Sequence, residues 1–90
     1  MTWEKAASDK LEELVQVVRD PFRTIIKSQA QAHAEKFAEA RKSPHVTIKE
    51  AVLGFIRARS HKLTTEGFML LKEHGMDEFD FEKYPQSEQQ

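Results

Sequence analysis

Ninety residues, 14 basic and 15 acidic side chains, a net charge of −1 and no cysteine describe a single small domain, one that buries only about 60–65% of its unfolded surface. Such a chain has no room for a deep substrate cavity, no overall bias toward polyanions, and no disulfide, thiolate metal ligand or thiol nucleophile. No apolar run approaches the roughly 20 residues of a membrane-spanning helix, and Met1-Thr2-Trp3-Glu4-Lys5 does not read as a signal peptide, so a cytoplasmic location is expected.

Residues 3–18 place Trp3, Ala6 and Ala7, Leu11, Leu14 and Val15, and Val18 at helical spacing. A short first helix is expected, with Arg19 complementing its C-terminal dipole. Trp3 is expected to close the core against the second helix, with an exposed partner contact as the alternative.

Asp20-Pro21 reads as the start of a long central helix, with Asp accepting from orphan N–H groups and Pro at the first helical position. Neither Gly nor Pro recurs before Pro44, which allows about 21 residues, or roughly 30 Å of helix. Its stripe is Phe22, Ile26, Ala30, Ala34 and Phe37/Ala38, with Ile25 and His33 beside it. The alanines form a waist where another helix can approach closely. Lys42-Ser43-Pro44-His45 ends the helix, since the residue before proline is driven out of the helical region.

Thr47 and Glu50 have the spacing of a capping box, and Ile48, Val52, Phe55/Ile56 and Arg59 continue a third helix to about residue 62. Thr64 caps a fourth helix, with Leu63 and Phe68 as a staple, unless the third runs on through Gly67. Gly75 and Met76 after His74 fit a left-handed cap in which Met76 touches Leu71. Residues 77–90 then read as an acidic, aromatic tail without helical period. The expected architecture is an all-α domain of three or four helices over residues 1–76, with Leu11, Phe22, Ile26, Phe37, Val52 and Phe55 or Ile56 in one core.

Charge is unevenly distributed. Residues 42–62 carry five basic and one acidic side chain, and residues 63–90 two basic and seven acidic. The basic element, with Arg41, Lys49, Arg57 and Arg59, is either a solvated helix face or a nucleic-acid surface. A third reading has the acidic tail fold back over it, anchored by Phe79, Phe81 and Tyr84. The histidines at 33, 45, 61 and 74 share no i, i+4 spacing, and His33-Ala34-Glu35 lacks the cysteines of a zinc deaminase. The isolated glycines form no phosphate loop, and Asp77, Glu78, Asp80 and Glu82 lack the calcium-loop pattern. No catalytic group, cofactor or metal site is expected.

Trp3, Ala7 and Leu11, then Val18-Arg19 or Phe22-Arg23, then Glu35-Lys36-Phe37-Ala38 and Val46-Thr47 resemble the small module appended to the B subunit of light-independent protochlorophyllide reductase. The likeness spans roughly residues 3–60, with Lys42 where that family usually has Gly. It implies a compact helical module beside a nitrogenase-like oxidoreductase, with no activity of its own. Arg23-Thr24-Ile25-Ile26-Lys27 and Val46-Thr47-Ile48-Lys49 are also similar to archaeal histones, which share the order helix, long helix, helix. The combined expectation is a non-enzymatic interaction module, contacting a protein partner or itself as a homodimer, with weak or absent nucleic-acid binding. Trp3, Arg41, Lys49, Arg57, Arg59, Phe79 and Phe81 are the candidate contact residues.

Overall fold

The computed structural model describes residues 2–59 and 64–83. A two-residue strand β1 (Thr2–Trp3) leads into helix α1 (Lys5–Val15), helix α2 (Phe22–Ala40) and strand β2 (His45–Val46). Helix α3 (Ile48–Arg59), helix α4 (Thr65–Glu73) and the short helix α5 (Glu78–Lys83) follow. Among the described residues the domain is all-α apart from one parallel bridge, in which Thr2 faces His45 and Trp3 faces Val46. Trp3 is therefore extended rather than helical.

The expected alanine waist is where the two main helices cross. Ala30, Ala34 and Ala38 of α2 are fully buried. On α3, a Cβ added to Gly54 would sit 2.5 Å from the Ala30 carbonyl oxygen and 2.7 Å from the Ala34 nitrogen. With only methyl groups on α2 and no side chain at Gly54, the two backbones approach closely. The spatial centre is α3 rather than the longer α2. Every residue from Glu50 to Ile56 is buried, so α3 is covered on all sides instead of along one stripe.

Large side chains fill the space on either side of that crossing. Phe37, Val52, Leu53, Ile56, Leu71, Met76 and Phe81 form one cluster. Leu11, Val15, Ala30 and Phe55 form another, with Leu14, Val18, Ile26 and Leu70 packed against it. Full burial of a residue such as Phe37 or Leu71 contributes about 1.5–3 kcal/mol.

Helix ends follow their capping chemistry. Thr64 accepts from the Gly67 amide at 3.0 Å, which starts α4 as a separate helix; Leu63 lies outside the described residues. At its far end, the Met76 amide donates to Leu71 O at 2.9 Å and the Gly75 amide to Lys72 O at 3.1 Å, with Gly75 at φ 73°. This is the expected Schellman cap. A second one closes α2, where Ser43 N reaches Ala38 O and Lys42 N reaches Glu39 O, both at 2.9 Å. Its left-handed position is held by Lys42, at φ 59°.

Three expectations are corrected. Pro21 precedes α2 instead of opening it, its peptide bond with Asp20 is cis, and no side chain caps the helix. The C-terminus of α1 is capped by Arg23 rather than Arg19. The Arg23 Nε donates to Val15 O at 3.2 Å and Val18 O at 3.0 Å, placing a cation on orphan carbonyls at the negative end of the dipole. The segment after Met76 is not a tail throughout, because α5 forms and Phe81 is buried in the core. Aromatic residues two apart hid this short helix from a periodicity argument.

Candidate protein-docking surface

Among the described residues, four large hydrophobic side chains stand more than half exposed: Val17 at 72%, Phe22 at 60%, Met69 at 60% and Ile25 at 53%. Two of them line one groove and two stand in the first turn of α2. Val17 and Met69 face a groove of about 610 Å³ whose apolar lining includes Leu14, Phe55 and Leu70, all members of the Phe55 cluster. Phe22 and Ile25 flank Ile26, which packs on that same cluster. Phe22 was expected in the core; it opens α2 about 12 Å along the axis from Ala30, beyond the crossing that buries the stripe.

The groove lies between the end of α1, the last turns of α3 and one face of α4. Helix α4 contributes Glu66, Met69, Leu70 and Glu73, an i, i+3, i+4, i+7 series that marks a single face. Among the described lining residues, Glu13, Glu66, Glu73 and Arg59 supply the charged groups, three acidic to one basic. Arg59 stands over the Phe55 ring at 5.7 Å. An adjoining hollow of about 120 Å³ extends the apolar surface toward Ile56 and Gly67.

The remaining residues picked out from sequence have other surroundings. Trp3 is half-buried and donates from Nε1 to the Glu35 carboxylate at 3.0 Å, closing β1 against α2. Arg41 pairs with the fully buried Glu50, which also accepts from the Thr47 amide at 2.7 Å and from its hydroxyl. The capping-box glutamate thus ties the α2–α3 loop together. Lys49 is exposed. Arg57 stands over the rings of Phe81 at 4.6 Å and Phe37 at 5.8 Å, so the C-terminal segment does fold back on the basic helix, through Phe81. Phe79 lies in α5, but its side chain is outside the described ones, and Tyr84 and His61 are outside the described residues.

Of the six whose side chains are described, only Arg59 lies in the groove. Sequence reasoning missed Val17 and Met69, although the spacing of Glu66, Met69, Leu70 and Glu73 was there to be read. Among the described residues, no cluster of three or more His, Asp or Glu side chains is placed to hold a metal ion, and no helix is long and apolar enough to cross a membrane. Known protein families, curated proteins and solved structures contain no match to this chain.

Proposed function

We propose that this chain is a non-enzymatic protein-interaction module that docks through Val17, Phe22, Ile25 and Met69. The observation that supports this reading is their joint exposure. A core this small has use for every large apolar side chain, and four of them left in water, two along one groove and two beside Ile26, support a contact surface. A second copy of the chain, forming a homodimer, is one candidate partner, and light scattering distinguishes it from a different protein. The likeness of residues 3–60 to the reductase module adds an oxidoreductase subunit as another.

Nucleic-acid binding is weak or absent in this reading. Arg41 is engaged by Glu50 and Arg57 by two aromatic rings, so the basic stretch offers few phosphate contacts, which supply most duplex affinity.

Site-specific photocrosslinking from positions 17, 22 and 69 in the source cells tests the reading, with Lys49 as the off-surface control. Crosslinks to a defined protein from the first three positions and none from the control are expected. Val17→Glu/Met69→Glu should abolish the crosslink from position 22 while leaving stability within about 0.5 kcal/mol, as exposed substitutions do. Equal crosslinking from all four positions, or none from any, refutes the proposal.

A further inference from the structure

We infer that the groove between α1, α3 and α4 receives a cationic amphipathic helix from a partner protein. This rests on the docking reading above and identifies the partner's chemistry.

Shape comes first. The α4 face from Glu66 to Glu73 runs about 10 Å, two turns of helix, beside the end of α1. A trough between helices accepts a third helix through anchors at i, i+3 or i+4, and i+7. Val17 and Met69 stand proud of the apolar lining, and methionine adapts to the shape of an incoming side chain.

Charge then selects the occupant. Among the described residues, three carboxylates and one guanidinium border the apolar floor. Lys10 engages Glu13 at 3.5 Å, whereas Glu66 and Glu73 are in no ion pair with a described residue. Lysine or arginine flanking the partner's apolar stripe would meet these carboxylates, giving orientation and encounter rate more than affinity.

The same charge disfavours a second copy. A twofold axis through the groove sets one acidic rim against another. The chain's own exposed stripe, Phe22 and Ile25, has neighbouring cations already committed: Arg23 to the α1 carbonyls and Lys27 to Glu12. An anionic lipid surface is repelled for the same reason.

The test uses the intact protein and three labelled peptides of about 18 residues, or five helical turns: an amphipathic Leu/Lys helix, its Leu/Glu counterpart, and a scramble of the Leu/Lys composition. Fluorescence anisotropy measures affinity, and amide shift changes report location. The Leu/Lys helix should bind at least about tenfold tighter than either control, with shifts concentrated on residues 66–73. Glu66→Lys/Glu73→Lys, both solvent-side changes, should invert the preference toward the Leu/Glu helix. Equal binding of all three peptides, shifts centred on Phe22 and Ile25, or an uninverted preference overturns the inference. So does failure of the Leu/Lys helix to bind; if positions 17 and 69 still crosslink a protein in that case, docking stands and only the cationic occupant is wrong.

Discussion

Gly54→Ala separates two opposed forces at the helix crossing. Helix propensity alone favours alanine by about 1 kcal/mol. The new methyl group, however, would lie 2.5 Å from Ala30 O, 2.7 Å from Ala34 N and 2.8 Å from Ala34 Cβ. The first two are backbone atoms of a regular helix, so no side chain can swing away. Ordinary carbon contacts begin near 3.5 Å, so α2 and α3 must separate by the better part of an ångström. That loosens Phe37, Val52 and Leu53 on one side and Leu11 and Phe55 on the other. Overpacking of this kind costs about 1–3 kcal/mol, and two rigid backbones place the clash at the upper end, leaving a net loss of about 2 kcal/mol. With a urea m-value of about 1–1.5 kcal/mol/M for a domain of this size, the midpoint should fall by roughly 1.3–2 M. Ala34→Leu should act the same way, and Ala32→Leu, on the exposed side of α2, should change little. If Gly54→Ala melts at or above the wild-type midpoint, propensity has won and the close crossing is refuted.

Lys42→Gly should stabilise the domain by up to about 1 kcal/mol, by relieving a left-handed lysine at the α2 cap; a lower melting temperature would count against that cap. Gly75→Ala should cost about 1 kcal/mol at an equivalent cap with open space around it, a purely conformational loss that thermal melts resolve. Phe81→Ala should cost about 3 kcal/mol, and removal of residues 77–90 at least as much; urea curves unchanged by either would mean that α5 does not belong to the core. Glu50→Ala should cost about 2–4 kcal/mol through loss of its bonds to Arg41 and Thr47, and a double-mutant cycle with Arg41→Ala should return a coupling above about 1 kcal/mol.

The helical fold was legible because its signals are local. The alanine spacing at 30, 34 and 38, the Thr47/Glu50 pair, Thr64 and Gly75 each act within a turn or two, and each stands where its chemistry requires. What escaped depends on distant contacts. The extended state of Trp3 comes from pairing with Val46, and the helicity of residues 78–83 accompanies burial of Phe81 beneath Arg57. The cap on α1 comes from Arg23, which lies one helix further along. The groove was half legible: one face of α4 can be read from its spacing, but not that α1 and α3 leave Val17 and Met69 uncovered beside it.

The close backbone approach of α2 and α3 also bears on how fast the domain forms. The two helices are consecutive and joined only by residues 41–47, so the entropy of closing that loop is small and their contacts lie close in sequence. Alanine and glycine surfaces need no rotamer search to fit together. The helical hairpin is thus suited to be the folding nucleus, with β1 and α5 joining once α3 is in place. Mutations at Ala34 or Gly54 should then slow refolding, whereas Phe81→Ala should chiefly accelerate unfolding. Stopped-flow refolding in urea would separate the two limbs.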